Sequence, residues 1–263
     1  MVLSQVSPSD ISPLLAIRKY TLQGQPTKIT SALLIGAFTL ANAHLLAASG
    51  SQDSIERLQM SSDVLHSIMD APDKGIPEEV VSGAKCIVVV PHLVKGGFIF
   101  GAEHGRGIAS CRTPEGWSAP AFVSIGGGSW GLQIGVEGVD LVMLVMNDQG
   151  FQHLLSSKFQ ISGDASAAAG PVGRHASAGT DWKLNSELLT YSRSRGVFAG
   201  ITLDGAVVQQ DSDSTRAIYG RDQSFETILS GKVSPPKSTL AFTKAIAETG
   251  RAGAVAEVSA DKK

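Results

Sequence analysis

Cysteine is scarce in this chain of 263 residues, where only Cys86 and Cys111 occur. Two thiols are too few for a disulfide-rich scaffold or for a four-cysteine zinc site. An exported protein can join two such cysteines in a disulfide, which remains one alternative. The interpretation that we favour from the sequence is a pair of small buried thiols on neighbouring strands.

An excess of charge is also lacking, because 22 Lys and Arg residues face 24 Asp and Glu residues and the formal net charge is -2. Without a basic excess the chain has no general attraction to phosphates, so nucleic acid is excluded as a partner. Any anion must therefore be bound by a local group of cations. Hydrophobic residues make up 43% of the chain, which is enough to bury a core.

Long hydrophobic runs are missing as well. The uncharged apolar stretch Ala32–Ala41 is too short for a bilayer-spanning helix of about 20 residues. Lys28 precedes it and the pattern Ala41-x-Ala43 follows it, which is the order of a secretory signal and its cleavage site. We expect residues 1–50 to be an N-terminal extension with this signal, and the protein to be exported to the periplasm or secreted. A structural helix or an uncleaved anchor is the alternative.

Glycine is abundant, with 29 residues, about 11% against a usual share of roughly 7%. Twelve of them lie between Gly96 and Gly138, among Ile, Val, Phe and Trp. Collagen would require a strict three-residue period, and a disordered linker would lack the β-branched residues. Glycine among strand formers is typical of bulges, tight turns and close backbone approach in a curved sheet.

Periodicity and turn signals divide the rest of the chain into helices and strands. The predicted helices are Ser51–Asp70, Glu78–Ser82, Asp148–Ser157 with Asp148 as its N-cap, Ser212–Tyr219, Ser224–Leu229 and Pro236–Thr249. The predicted strands are Lys85–Pro91, Phe98–Arg112, Trp117–Ile125, Leu132–Met146, Glu187–Ser194, Val197–Leu203 and Ala206–Gln209.

Short turns join most of these strands, which favours antiparallel pairing. Asp204-Gly205 predicts a hairpin between the last two strands. The fold class is therefore α+β, with a glycine-rich, mostly antiparallel β-sheet or barrel-like core that is flanked by N- and C-terminal helices. We expect one domain over residues 51–250 and a flexible tail over residues 251–263.

Several motifs resemble the SYLF domain family, in the same order and over about Leu58–Ser230. They are Ala84–Pro91, Lys95–Phe98, Trp117–Pro120, Gly126–Gly135, Gly170–Arg174, Tyr191–Gly200, Asp204–Ala206 and Tyr219-Gly220. The resemblance implies a non-enzymatic binding module. Eukaryotic members are phosphoinositide-binding and actin-binding modules, and bacterial members are mostly exported proteins of unsettled role.

A lipid-binding helix precedes the sheet in eukaryotic members. The equivalent helix here is expected to carry Glu56, Arg57, Asp63 and His66 on its polar side. That face is not basic, so the resemblance does not carry this mechanism over to the chain.

Two catalytic motifs overlap on one glycine segment, Gly126–Gly131. The segment matches both the hydrolase elbow around Ser129 and the dinucleotide fingerprint. Both mechanisms require a helix to follow, whereas an alternating strand pattern follows here, so a glycine hairpin is predicted and no enzyme. No histidine pair has zinc-hydrolase spacing, and Asp211-Ser-Asp213 is interpreted as a helix cap instead of a calcium loop. We expect no metal and no cofactor.

Cations provide the candidate lipid-binding residues. Arg193 and Arg195 are expected on one strand face with Tyr191, where they pair with a carboxylate, for which Glu137 and Asp140 are candidates, or bind a phosphate.

A second group lies in a small-residue stretch without a clear period, where Lys158, Arg174 and Lys183 accompany Trp182. Such a segment either enters a headgroup layer or is a solvated loop. The expected partners are membrane lipid headgroups, including phosphoinositide-like anions, or a protein, and actin binding is the alternative function.

Overall fold

A computed structural model describes residues 50–68, 75–97, 100–130, 135–173, 186–194 and 197–249. All of them belong to the second of two compact units, His44–Lys263. In these ranges no helix is both long enough and apolar enough to cross a membrane. The predicted secretory signal lies outside the described residues.

Among the described residues, helices precede the first strand, follow the last strand and occur once between strands. They are α1 over 50–68, α2 Glu78–Gly83, α3 Asp148–Leu155, α4 Ser212–Tyr219, α5 Phe225–Leu229, and α6 over 240–249, preceded by a 3-10 turn at Lys237–Thr239. The strands are β1 Cys86–Gly97, β2 Phe100–Thr113, β3 Gly116–Trp117, β4 Ala121–Trp130, β5 Gly135–Val145, β6 Lys158–Gln160, β7 Ala167–Ala169, β8 Leu188–Ser194, β9 Val197–Gly200 and β10 Val207–Gln210.

The strands form one sheet in the order β6-β10-β4-β2-β1-β5-β8-β7, with β3 on β2 and β9 on β8. All pairs are antiparallel except β7 with β8. The predicted α+β class and the mostly antiparallel sheet are therefore confirmed.

Chain connectivity requires this sheet to curl. The two ends of the strand order, β6 and β7, are separated by only the six residues 161–166. Seven extended steps span about 25 Å at most. Eight strands laid flat at about 4.8 Å spacing extend over about 34 Å, so a flat sheet cannot satisfy the connection. The result is a curled half-barrel, in agreement with the barrel-like core predicted from the glycines.

Both faces of the central strands are buried, as the continuous apolar run of β1 predicts. Val88 and Val90 lie in one hydrophobic cluster, with Leu154 of α3 and Phe225 of α5. Ile87 and Val89 lie in the other, which is covered by α1, α2 and α6 through residues such as Leu65, Val81 and Phe242. Alternation along one strand therefore supplies both layers of the core.

Some local predictions are wrong because pairing overrides local turn signals. Gly205 does adopt a turn with φ +82°, but β10 pairs with β4 and β6, and β9 pairs with β8. The predicted Asp204-Gly205 hairpin is therefore absent. The predicted glycine hairpin is also wrong, because β4 pairs with β2 and β10 while β5 pairs with β1 and β8.

Two further differences concern short elements. Strand β7 consists of three alanines and is absent from the predicted strands, since alanine has little strand preference. The N-cap of α3 is Asn147, whose side chain accepts a hydrogen bond from the amide of Gly150, and not Asp148. The predicted cap at Asp211 is confirmed, because its carboxylate accepts a hydrogen bond from the amide of Ser214.

The two cysteines form a disulfide, and the thiol pair that we favoured is wrong. Cys86 and Cys111 are directly opposite each other on β1 and β2, and both are fully buried. The expected placement on neighbouring strands is correct, and this placement brings the sulfur atoms together.

Candidate functional site

Helix α1 is held against the sheet by a buried ion pair at its N-terminal half. Nη1 of Arg57 lies 3.3 Å from Oδ2 of Asp211, and both side chains are only 7% exposed. The same nitrogen donates to the hydroxyl of Ser214 at 3.0 Å, and the guanidinium lies 5.9 Å from the ring centre of Phe122. Burial lowers the pKa of Arg57 from its ordinary value, while Asp211 acts in the opposite direction.

A second arginine shares this aspartate. Nε of Arg106 lies 3.7 Å from Oδ2 of Asp211, which already accepts from Arg57 and from the Ser214 hydroxyl at 2.7 Å. The side chain of Arg106 is 52% exposed. Arg106 is thus a loosely held cation at the surface of a buried network.

The C-terminal half of α1 meets the sheet through another arginine. Arg193 of β8 donates from Nε to Oδ2 of Asp140 at 2.9 Å and from Nη1 to the hydroxyl of Ser67. Asp140 lies directly opposite Arg193 on β5, and its Oδ1 accepts from the amide of His92. The predicted pairing of Arg193 with Asp140 is confirmed, so this guanidinium is engaged by protein groups.

These contacts correct the expected polar side of α1. Arg57 is 6% exposed and belongs to the buried side, together with Leu58 and Leu65. The exposed side carries Asp53, Glu56, Asp63 and His66. Its charged groups are carboxylates, so this surface repels an anionic membrane instead of attracting it.

The other candidate cations are only partly described. Lys158 is exposed on the edge strand β6, opposite Gln209 of β10. Arg193 lies on a different strand, β8, and is engaged as above. Arg174, Trp182, Lys183 and Arg195 lie outside the described residues, as does the side chain of Glu137.

From Gly126 to Trp130, the glycine segment that matches two catalytic motifs is a strand. Ser129 lies within β4, opposite Gly101 of β2, and strand pairing continues to Trp130. A hydrolase elbow requires a sharp turn into a helix, and a dinucleotide site requires a helix N-terminus. The extended backbone around Ser129 provides neither feature.

A serine, a glutamate and a histidine do meet where α3 packs against the sheet. Their order is unsuited to catalysis. Oε1 of Glu187 accepts from the hydroxyl of Ser166 at 3.1 Å, and Oε2 lies 3.4 Å from Nε2 of His153. A serine nucleophile requires the imidazole next to its hydroxyl. Here the carboxylate separates the two, so the cluster connects α3 to β8 without activating Ser166.

Sequence reasoning did not identify Arg106 or the roles of Arg57 and Asp211. Arg106 lies between two glycines in a strand, a pattern that gives no signal of a distant aspartate. The N-cap prediction for Asp211 was the one available clue, because a capping carboxylate keeps an oxygen for a second donor.

Comparison with known proteins gives a consistent result. Residues 126–249 match the family model "Ysc84: Las17-binding protein actin regulator". The SH3 domain-containing YSC84-like protein 1 of Rattus norvegicus is 34% identical over 169 residues, which are 64% of this chain and 49% of the relative. The Xenopus laevis protein of the same name is 33% identical over 171 residues, 64% of this chain and 50% of the relative.

A yeast protein extends the comparison. LAS seventeen-binding protein 3 of Saccharomyces cerevisiae is 31% identical over 169 residues, which are 62% of this chain and 36% of the relative. The chain thus spans about half the length, or less, of these curated relatives. The relatives are named as binding or SH3 domain-containing proteins. The order of the motifs and these matches identify residues 126–249 as a Ysc84-type (SYLF) domain, in agreement with the resemblance found in the sequence.

Proposed function

We propose that this chain is a non-catalytic binding module of the cell envelope that associates with membrane lipid headgroups. The observation that carries the compartment is the buried Cys86–Cys111 disulfide, because structural disulfides persist in oxidising compartments and are rare in the cytosol. The secretory signal pattern from Lys28 to Ala43 supports the same compartment. The family relationship supports binding as the general activity.

The proposed lipid contact is the segment with Lys158, Arg174, Trp182 and Lys183. Lys158 is exposed, and the tryptophan supplies apolar surface for insertion at the headgroup level. Each cation near an anionic surface contributes about 1 kcal/mol, so the three together contribute about 3 kcal/mol, or over a hundredfold in partitioning. Salt weakens the contribution, since exposed charges are screened over about 10 Å at 0.1 M.

Liposome pelleting tests this proposal. The full chain is compared with a Lys158→Ala, Arg174→Ala, Lys183→Ala variant, on anionic and neutral vesicles and at low and high salt. The matched control removes three other cations, Lys232, Lys237 and Lys244. We expect the first variant to lose anionic binding at low salt and the control to keep it. Equal binding by all three proteins eliminates the segment, and no binding by any of them eliminates a lipid ligand.

The names of the family and of its relatives favour a second candidate, a protein partner of the actin-regulating kind. Co-sedimentation of the chain with actin filaments tests it directly. The compartment separates the two candidates, because a chain in an oxidising envelope has no access to cytosolic actin. Pelleting with filaments and not with vesicles supports the second candidate and overturns the first.

A further inference from the structure

The sheet extends beyond the helices that cover it and leaves an open face. On the side of α1, the buried Ile108 of β2 and the buried Phe122 of β4 share a sheet face with every second residue along their strands. The exposed or half-exposed positions of this face are Val94 on β1, Ala102, His104 and Arg106 on β2, Ser124, Gly126 and Gly128 on β4, and Gly138 on β5. These residues, called here the open face, are registered across four neighbouring strands.

The open face has an exposed apolar residue near its middle. Val94 is 46% exposed and lies opposite His104 on one side and Gly138 on the other. An added Cβ at Gly138 meets nothing within 4 Å. A partner can therefore approach the backbone of the sheet closely at the glycines.

Helix α1 lies along one border of the open face. Its Arg57 shares Asp211 with Arg106, and its Ser67 contacts Arg193, which pairs with Asp140. The helix therefore crosses the strands from the Arg106 end to the Asp140 end. It rises about 10 Å above the sheet, so the surface has a step with the helix on one side and the open face on the other.

The two sides of the step differ in charge. The exposed charged groups of α1 are Asp53, Glu56 and Asp63, with His66 near its end, and its single arginine is buried. Arg106, His104 and Ser124 are the polar side chains of the open face as defined above, and none of its residues carries a carboxylate. The helix of one copy therefore complements the open face of another in both charge and height.

We propose that two copies of this chain associate through a twofold axis parallel to α1, with each helix lying on the open face of the other copy. This axis places the helix of each copy over the open face of the other copy. It also keeps each residue at the same level along the helix direction in both copies. Asp53 and Glu56 lie within about one turn of Arg57, which is at the level of Arg106. The symmetry thus brings the two carboxylates of one copy to Arg106 of the other.

The contact area indicates a concentration-dependent dimer. The 19 residues of α1 extend over about 28 Å, and four strands extend over about 19 Å. Helix and open face together bury about 600 Å² per copy, or about 1,200 Å² in total. That value is at the lower limit of specific, stable interfaces.

Sedimentation equilibrium and light scattering of the full chain between about 1 and 100 µM test the proposal. We expect the average mass to rise from 27.4 kDa toward twice that value. Glu56→Lys, Arg106→Glu and Val94→Asp should each weaken association at least tenfold. The control is Val197→Asp, since Val197 is a similarly exposed valine on β9, at 50%. It should leave association unchanged.

The most discriminating experiment mixes the Glu56→Lys and Arg106→Glu proteins. In a mixed dimer one contact pairs the introduced lysine with the introduced glutamate, and the other contact retains Glu56 with Arg106, so association should return. Circular dichroism checks that each variant folds. Should Arg106→Glu fail to fold beside Asp211, Glu56→Lys and Val94→Asp still decide the question. A monomer at all concentrations, or variants that associate like the wild type, overturns the proposal.

Discussion

Arg57 and Asp211 connect two parts of the chain that are 154 residues apart, through an ion pair in which neither side chain is more than 7% exposed. Loss of one partner of a buried ion pair costs about 3–5 kcal/mol in typical cases, and Arg106, whose Nε lies 3.7 Å from Oδ2 of Asp211, places the expected cost near the lower end of that range. We therefore expect Arg57→Ala to lower the free energy of unfolding by about that amount, as measured by urea denaturation.

A surface pair provides the control for this variant. Arg216 contacts Asp213 and Asp222 with a side chain that is 55% exposed. Exposed pairs contribute at most about 1 kcal/mol, so Arg216→Ala should be nearly neutral. An equal effect of the two substitutions would show that the Arg57 pair is not buried as described.

The buried Tyr191 and the half-buried Tyr219 should respond oppositely to loss of the hydroxyl. The hydroxyl of Tyr191 has no hydrogen-bond partner among the described residues, whereas that of Tyr219 donates to the carbonyl of Pro120 at 2.7 Å. An unpaired buried hydroxyl costs about 1–3 kcal/mol, and a formed hydrogen bond contributes about 1 kcal/mol. Tyr191→Phe should therefore raise the unfolding free energy at pH 7, and Tyr219→Phe should lower it. The opposite order in denaturant titrations would contradict this assignment.

The same residues give a pH dependence. Burial raises the pKa of Tyr191 and of Tyr219 above the ordinary value of 10.0. The folded state then holds these protons more tightly than the unfolded state, so the unfolding free energy should fall as the pH rises above 10. Each Phe variant should flatten this decline between pH 9 and pH 11. An unchanged slope in both variants would assign the decline to other groups.

The sequence predicts the elements of this fold better than their pairing. The apolar run of β1 and the helical spacing of α1 are strong periodic signals, and both elements occur where they are expected. Asp204-Gly205 predicts a turn correctly but not the strands beside it. The partners of β10 are β4 and β6, which the chain reaches only through tertiary contacts.

The contacts of the candidate site are likewise predictable from the sequence only in part. Strand alternation predicts a carboxylate partner for Arg193 and leaves Glu137 and Asp140 as candidates, and the structure shows the contact with Asp140. The sequence does not predict the burial of Arg57. An arginine next to a leucine in a helical pattern fits either the buried or the exposed side of an amphipathic helix. Only the position of Asp211, 154 residues away, determines which side arginine takes.

Close backbone approach at Gly107 should make this position intolerant of any side chain. An added Cβ would clash with the carbonyl oxygen of Val89 on the paired strand. A backbone atom cannot move aside as a side chain can, so Gly107→Ala should lower the unfolding free energy by about 3 kcal/mol or more. Gly138→Ala is the control, because its Cβ meets nothing within 4 Å. Thermal unfolding should show a large shift for the first variant and little change for the second.

The last prediction concerns the compartment. If the pattern from Lys28 to Ala43 is a cleaved signal, mass spectrometry of protein purified from its source should show a chain that begins near His44. Neither cysteine of this protein should react with an alkylating reagent until the chain is unfolded and reduced, because Cys86 and Cys111 are bonded and buried. Reduction should lower the unfolding free energy by about 3 kcal/mol, as expected for a disulfide that closes a loop of 25 residues. A soluble cytosolic chain that retains residues 30–40 and carries two free thiols would contradict export, and with it the proposed envelope function.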